Sequence, residues 1–233
     1  MQKIILITGT SKGIGKSLAL SYLCEGEIVV GCSRSITDIE HKNYRHFELN
    51  VDDEKAVRAM VVSVKKEFSR IDVLLNNAGV ASMNHFLTTA LSSVEKLFRT
   101  NFIGTFLFSR EVAKVMIKQK NGVIINYTTV ASALRLEGEA IYAASKSAIE
   151  NFTQTIAKEL SPFNIRVNAV GPTPIKTDLI KAIPQEKIEQ LLQKQSIKRL
   201  GEFDDVKNVV DFFMDERSSF ITGQIIYLGG VHN

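Results

Sequence analysis

Two side chains in the second half of the chain, Tyr142 and Lys146, have the chemical types and the spacing needed to move a proton. They lie four residues apart, so on a helix they share one face. A free phenol, with a pKa near ~10, is a poor acid or base at neutral pH, and an adjacent ammonium group lowers that pKa because it favours the phenolate. Thr129, thirteen residues before Tyr142, offers a hydroxyl to a reacting oxygen. This chemistry suits carbonyl reduction or alcohol oxidation, although such a pair also occurs as ordinary surface residues.

A glycine-rich segment near the N-terminus has the layout of a phosphate-binding turn. The apolar run Ile4–Thr8 predicts a buried parallel strand, and a helical pattern follows the glycines at 9, 13 and 15. Glycine lets the backbone turn tightly and approach a ligand, and the N-terminus of the following helix attracts a phosphate. The spacing differs from the commoner G-x-G-x-x-G, and an ordinary glycine-rich turn is the alternative. We expect a dinucleotide-binding turn.

The residues after the second predicted strand, 27–32, indicate which dinucleotide binds. NAD-binding folds place a carboxylate there to hold the ribose 2′-hydroxyl, whereas this chain has Ser33, Arg34 and another serine. Arg34 can bind a 2′-phosphate bidentately, Ser33 can donate to it, and Lys12 can reach it from the glycine-rich turn. These cations also fit a plain surface. We expect NADP (NADPH) as the cofactor, with NAD less favoured.

The remaining pattern alternates strands and helices, which is typical of an α/β fold with a parallel sheet. Strands are predicted at 45–50, 73–75, 123–127, 165–170 and 224–228, and helices at 53–69, 92–119, 142–160 and 204–215. No repeat or linker divides the chain, so residues 1–233 are expected to form a single domain. Residues 173–201 are predicted to form a substrate-binding lid within it, although a surface helical insertion fits equally well.

Composition narrows the class of protein. The chain has 233 residues, 45% of them hydrophobic, enough for a substantial core. The net charge of +4 is not gathered into a basic block, so no nucleic-acid partner is expected. Neither a membrane-length apolar run nor a signal-peptide pattern is present, so we expect a cytoplasmic protein with no membrane partner. Two cysteines and four scattered histidines predict neither a disulfide framework nor a metal site.

Several short motifs follow one another in a specific order: Thr8-Gly9-x-x-x-Gly13-Ile14-Gly15, Asn76-Asn77-Ala78-Gly79, Asn101, Tyr142-x-x-x-Lys146 and Asn168-x-x-x-Pro172 leading to Thr177. Over essentially its full length the chain therefore resembles the short-chain dehydrogenase/reductase family. The resemblance implies a single-domain, Rossmann-type, doubly wound parallel sheet of seven strands in the order 3-2-1-4-5-6-7, with helices on both faces. It also implies a homotetramer or homodimer in which the helices carrying Asn101 and Tyr142 pack across subunits.

The resemblance also implies roles for individual residues. Tyr142 would be the general acid or base, Lys146 would lower its pKa and hold the nicotinamide ribose, and Asn101 would hold a water that links Lys146 to solvent. Thr129 stands where the family usually has serine; it keeps the hydroxyl and adds a methyl group. The expected cofactor-binding residues are Thr8, Gly9, Ser11, Lys12, Gly13, Ile14, Gly15, Ser33, Arg34, Asn50, Val51, Asn77, Ala78, Gly79, Tyr142, Lys146, Pro172, Thr173, Ile175 and Thr177.

Two positions depart from the family pattern beside the expected cofactor. The usual Pro-Gly after the sixth strand is Pro172-Thr173 here, which restricts the backbone. The usual aspartate after the third strand is Asn50, whose amide can still hydrogen-bond to adenine. We expect both changes to affect affinity and neither to break the site.

The expected function is reduction of a ketone to a secondary alcohol, or the reverse, by hydride transfer. The substrate would be a small carbonyl compound or alcohol, or an acyl thioester on a carrier, since 3-oxoacyl-(acyl carrier protein) reductases are the nearest general resemblance. The alternative function is a cofactor-binding regulator or scaffold that has lost turnover. Specificity is expected to come from residues 80–86, 134–141 and 173–201. Basic residues that suit an acidic carrier, or simply a solvated helix face, are Arg99, Arg110, Lys114 and Lys118.

Overall fold

A computed structural model of the chain describes residues 2–175 and 185–232. Within those residues, seven parallel strands form one sheet in the order β3-β2-β1-β4-β5-β6-β7. The strands are β1 (Ile4–Thr8), β2 (Ile28–Ser33), β3 (Tyr44–Glu48), β4 (Val73–Asn76), β5 (Gly122–Tyr127), β6 (Ile165–Gly171) and β7 (Ile225–Tyr227). This order confirms the doubly wound α/β fold that the family resemblance implied.

Helices cover both faces of the sheet. They are α1 (Gly13–Cys24), α2 (Glu54–Phe68), α3 (Leu91–Phe98), α4 (Gly104–Gln119), α5 (Val130–Leu134), α6 (Ala140–Leu160), α7 (Gln185–Lys194) and α8 (Phe203–Met214). One hydrophobic cluster joins α2, α4 and α6 to the sheet, and a second joins α1 and α8 to its other face. Because both faces are covered, β1 is buried along its whole length rather than at alternate residues.

Local signals fix the ends of α2. The side chain of Asp53 accepts the backbone N–H of Ala56 and so caps the first turn, and Ser69 ends the helix in the left-handed conformation with φ of 66°. Met60 and Val64 are buried against the sheet, as the apolar spacing predicts. The helix therefore lies within one residue of its predicted bounds at each end.

The segment predicted as one helix over 92–119 is interrupted, and that prediction was wrong in detail. A π-helical turn spans Arg99–Ile103 between α3 and α4, and the N–H of Gly104 donates to the carbonyl of Arg99. The extra residue of a π turn rotates the side chains on either side of it, and such turns are frequent at functional sites. Here the turn contains Asn101, which is fully buried.

The carboxyl ends of β1 and β4 meet where the strand order reverses, which is the usual place for a ligand in an open α/β sheet. The residues following these two strands are the glycine-rich turn and the segment from Asn77 onward. Among the described residues, every helix is too short or too polar to span a lipid bilayer.

Candidate active site

A cavity of about 1160 Å³ opens at this edge of the sheet. Thr8, Gly15 and Asn101 lie behind its wall, and Thr177 falls outside the described residues. The other predicted site residues line it: Gly9, Ser11, Lys12, Gly13, Ile14, Ser33, Arg34, Asn50, Val51, Asn77, Ala78, Gly79, Thr129, Tyr142, Lys146, Pro172, Thr173 and Ile175. The structure therefore brings together residues that lie far apart in the sequence, in a volume large enough for a dinucleotide with a substrate beside it.

The glycine-rich turn leaves no room for a side chain at Gly9 or Gly15. A Cβ on Gly15 would lie closer than 3.0 Å to the carbonyl oxygen of Gly9, and Gly9 has a φ of +79°. Glycine is therefore required for α1 to begin directly against the turn. Lys12 occupies the N-cap position of α1 and makes no side-chain capping hydrogen bond. Its side chain therefore does not cover the first backbone N–H groups of the helix. This arrangement fits a pyrophosphate.

Thr8 and Asn77 hold the two strand ends together. The side-chain amide of Asn77 donates to the carbonyls of Thr8, at 2.9 Å, and of Gly9, at 3.3 Å. The N–H of Ala78 donates to the hydroxyl of Thr8 at 2.9 Å. Thr8 thus supports the turn from behind, which explains why it does not line the cavity.

Two cations line the cavity near the glycine-rich turn and β2. Lys12 and Arg34 are both exposed, and within residues 2–175 and 185–232 neither forms an ion pair. Ser33, next to Arg34 in the sequence, also lines the cavity. Since the carboxylates that line the cavity, Glu137 and Glu139, belong to the segment before α6, this donor set fits an added phosphate on the adenosine ribose.

Thr129 and Tyr142 both line the cavity, and Thr129 lies close enough to influence the pKa of Tyr142. Thr129 also caps α5, where its hydroxyl accepts the N–H of Ala131 at 3.3 Å. Burial raises the pKa of Tyr142 to about 12, the neighbouring Thr129 side chain acts in the opposite direction, and the charge of Glu139 raises this pKa further. The net shift is therefore upward, opposite to the lowering predicted from the pairing with Lys146, because burial outweighs the other influences.

Lys146 is buried, with 5% of its surface exposed. Its Nζ donates to the carbonyl of Tyr127 at 2.8 Å. Burial lowers the pKa of Lys146 to about 8, and the negative charge of Glu150, one helical turn further on, acts against that shift. Glu150 itself accepts a hydrogen bond from the hydroxyl of Thr128. The ammonium group is thus held at a fixed point beneath the cavity wall.

Asn101 clamps the segment after β4. Its Oδ1 accepts the N–H of Val80 at 2.9 Å, and its Nδ2 donates to the carbonyl of Val80 and to the hydroxyl of Ser145, both at 3.0 Å. A Cβ on Gly79 would lie 3.4 Å from both Asn101 Oδ1 and Lys146 Nζ. Asn101 and Lys146 therefore approach each other across Gly79, and both polar atoms of the Asn101 side chain hydrogen-bond to protein groups.

Sequence reasoning missed Glu139, which lines the cavity just before α6. Burial raises the pKa of its carboxyl to about 6. Its side chain does not cap the helix, although it occupies the cap position. The signal available in the sequence was a glutamate three residues before Tyr142 at the start of a helix, where a carboxylate usually has a capping role.

The predicted specificity segments do contribute to the cavity wall. Residues 80–83, Leu136, Glu137 and residues of α7 line it. Lys187 and Lys194 of α7 are the basic members of that set. The apolar members near these segments are Val80, Met83, Leu136, Ile188 and Leu191.

Two of the four basic residues considered for an acidic carrier already have acidic partners. Arg110 donates to Glu54 at 2.6 Å and to Glu111 at 2.7 Å, and Lys114 donates to Glu111 at 2.7 Å. These pairs lower the positive charge available on that helix face. The face therefore offers little support for a carrier-docking surface.

Comparison with known proteins gives matches over almost the whole chain. A family model described as enoyl-(acyl carrier protein) reductase matches residues 9–232. The 3-oxoacyl-[acyl-carrier-protein] reductase FabG of Staphylococcus epidermidis is 34% identical over 240 residues, covering 99% of this chain and 98% of that protein. The protein of the same name from Escherichia coli is 30% identical, covering 98% of this chain and 96% of its own length.

Solved structures with closely similar folds come from several enzymes. ElxO with NADP bound superposes with a TM-score of 0.90 at 30% identity, covering 99% of this chain and 98% of that one. The aldohexose dehydrogenase of Thermoplasma acidophilum gives a TM-score of 0.89 at 28% identity over 98% of this chain and 93% of that one. NAD⁺-bound xylitol dehydrogenase gives 0.87 at 26%, covering 98% of each chain.

Proposed function

The chain belongs to the short-chain dehydrogenase/reductase family of NAD(P)-dependent oxidoreductases, and on that premise we propose that it uses NADPH to reduce a ketone to a secondary alcohol, with Tyr142 as the proton donor. The observation that carries the proposal is a cavity whose lining includes Thr129, Tyr142 and Lys146 together with Lys12 and Arg34. The first three residues suit proton transfer to oxygen, and the last two suit a phosphate.

The preference for NADPH rests on charge at the wall near β2. Arg34 and Lys12 are cations without ion pairs among the described residues, and a carboxylate that would repel a 2′-phosphate is absent from residues 33–35. Similar folds have been solved with either cofactor, since ElxO holds NADP and xylitol dehydrogenase holds NAD⁺. The fold is thus neutral on this point, and the side chains of this chain favour NADPH.

The protein side of the reaction is a proton transfer. Bound NADPH would supply the hydride that adds to the carbonyl carbon. Tyr142, with a pKa of about 12, is protonated at neutral pH and can give its proton to the oxygen as negative charge develops there. Thr129, which lines the cavity with Tyr142, offers its hydroxyl to the same oxygen. The ammonium of Lys146 stabilises the tyrosinate that remains.

The substrate class follows from the rest of the wall. Apolar side chains such as Met83, Leu136 and Ile188 suit an acyl or alkyl chain better than a sugar. Similar proteins are named as reductases of 3-oxoacyl groups on a carrier protein. We therefore propose a 3-oxoacyl thioester as the first substrate to test, and a small ketone as the second.

The test is turnover by a variant that lacks only the proton donor. Tyr142→Phe should lower kcat at least about 100-fold, because a positioned acid is lost, while the Kd for NADPH changes less than about twofold. NADPH consumption would be followed with acetoacetyl thioesters and a panel of ketones. Wild-type turnover by Tyr142→Phe would exclude this residue as the donor. Tight NADPH binding by the wild type with no turnover on any substrate would favour a regulator or scaffold.

A further inference from the structure

Two side chains of β3 form a hydrogen-bonded pair beneath the loop that carries Arg34. Tyr44 and His46 are two residues apart on the strand, so they project from the same face. Their hydroxyl oxygen and Nδ1 lie 2.9 Å apart. Tyr44 is buried, and its hydroxyl donates to Oγ1 of Thr10 at 2.9 Å. Thr10 belongs to the glycine-rich turn and is fully buried.

The other ring nitrogen of His46 reaches both sides of Arg34. Nε2 lies 3.1 Å from the hydroxyl of Ser33 and 3.1 Å from the carbonyl oxygen of Ser35. The hydroxyl of Ser33 also donates to that carbonyl at 2.6 Å. A carbonyl oxygen only accepts, so Nε2 must carry the proton in the bond to Ser35. His46 is thus anchored to the residues immediately before and after Arg34.

The hydrogen bonds that join Thr10, Tyr44, His46 and Ser35 can form whether the imidazole ring of His46 is neutral or doubly protonated. When His46 is doubly protonated, Nδ1–H donates to Tyr44, and Tyr44 donates to Thr10. When the ring is neutral, Thr10 donates to Tyr44, and Tyr44 donates to Nδ1. Nε2–H stays on Ser35 in both arrangements, so the link needs no particular protonation of the histidine.

The absence of a side chain at Gly31 makes room for this series of hydrogen bonds. Gly31 lies in β2 opposite His46 in the parallel register, and a Cβ there would lie closer than 3.0 Å to both the Tyr44 hydroxyl and Thr10 Oγ1. Glycine inside a strand ordinarily weakens it. Here the missing side chain admits the bond that joins β3 to the glycine-rich turn.

We propose that His46 is a positioning residue that fixes residues 33–35 for recognition of the 2′-phosphate and, through Tyr44 and Thr10, ties that loop to the glycine-rich turn. The inference rests on the proposed use of NADPH. Arg34 is exposed and, among the described residues, has no ion pair, so the backbone on either side of it sets where its guanidinium points. Holding that backbone in advance lowers the ordering cost of binding the phosphate. NADH, which has no 2′-phosphate, gains little from the same restraint.

The test compares the two cofactors in matched variants. His46→Ala should weaken NADPH binding about tenfold, the equivalent of one lost hydrogen-bonded anchor, and NADH binding less than about twofold. His46→Gln should recover part of the NADPH affinity, because its amide can donate to the Ser35 carbonyl. His41→Ala, at an exposed histidine in the preceding loop, is the control and should leave both affinities unchanged. Dissociation constants would be measured by cofactor fluorescence titration.

Different outcomes separate this inference from the proposed function. If His46→Ala weakens both cofactors equally, or neither, the positioning role is wrong and the use of NADPH stands. If the wild type does not prefer NADPH, or Arg34→Ala leaves the preference unchanged, the proposed cofactor recognition fails and this inference fails with it. If His46→Ala does not fold, the same two affinities would be measured for His46→Gln and Tyr44→Phe. Both variants should reduce the preference for NADPH over NADH, by a smaller factor than His46→Ala.

Discussion

Glu139 places a titratable carboxyl beside the proposed proton donor. Its pKa is raised to about 6 by burial, and its negative charge raises the pKa of Tyr142. As pH rises through about 6, Glu139 becomes charged, Tyr142 becomes a weaker acid, and ketone reduction should slow. Glu139→Gln has no charge to gain, so its kcat should stay at the faster level across this range. The pH profile of kcat from pH 5 to about 8 checks this expectation.

A neighbouring carboxylate serves as the matched control for that profile. Glu137 lines the same cavity but is exposed, so Glu137→Gln should keep the wild-type inflection. A wild-type kcat profile that is flat through pH 6, or an inflection that remains in Glu139→Gln, would show that the charge of Glu139 does not control proton donation by Tyr142.

The residue scale also shows where sequence reasoning succeeded and failed. The four-residue spacing of Tyr142 and Lys146 predicted that they share one helix face, because four residues make about one helical turn. In the structure both residues line the cavity. The direction of the Tyr142 pKa shift was missed, because that direction depends on depth of burial, which spacing does not report. Glu139 was missed for the same reason.

At the scale of elements, the π turn between α3 and α4 aims Asn101 at the segment after β4. Three hydrogen bonds link this fully buried side chain to Val80 and Ser145. Asn101→Ala should lower the free energy of unfolding by about 3 kcal/mol, because buried polar groups lose their partners. Asn121→Ala, at an exposed loop position, should cost much less. Denaturant titration of both variants measures the difference, and equal losses would refute the clamp.

Helix ends could be predicted where residues within or next to the helix fix them. The helical features that were missed depend on more distant parts of the structure. The ends of α2 agree with the prediction because Asp53 and Ser69 act on their own helix. The π turn was hidden, since the residues over 92–119 read as one continuous helical pattern. The short helix α5 was also missed; its cap residue, Thr129, had been considered only as a catalytic hydroxyl.

At the scale of the whole molecule, the alternation of predicted strands and helices indicated a parallel α/β sheet, and the family resemblance implied its strand order. The run Ile4–Thr8 is buried along its whole length because helices cover both faces, and the site lies where the strand order reverses. Side-chain contacts between segments that are distant in the sequence could not be predicted. The bonds from Lys146 to Tyr127 and from His46 to Ser35 depend on how distant segments register in space.

Assembly is the remaining expectation at this scale, and the family resemblance suggests a homotetramer or homodimer. An apolar surface next to α4 and α6 includes Ile103, which is exposed, and the half-buried rings of Phe102, Phe106 and Phe152. Ile103→Glu should shift the protein to a smaller species, because a charge there would be desolvated in a subunit contact. Leu20→Glu, a similarly exposed residue on α1, should not. Light scattering would report the mass, and unchanged mass for Ile103→Glu would exclude this surface.

Gly31 carries a consequence for how this chain can diverge. Because a Cβ at this position would collide with both Tyr44 and Thr10, the three positions cannot drift independently. A lineage that gains a side chain at position 31 must shorten the residue at 44 and also lose the hydroxyl at 10. Glycine at 31 and tyrosine at 44 should therefore be inherited together among descendants of this sequence, and a lineage that lost one would be free to lose the other.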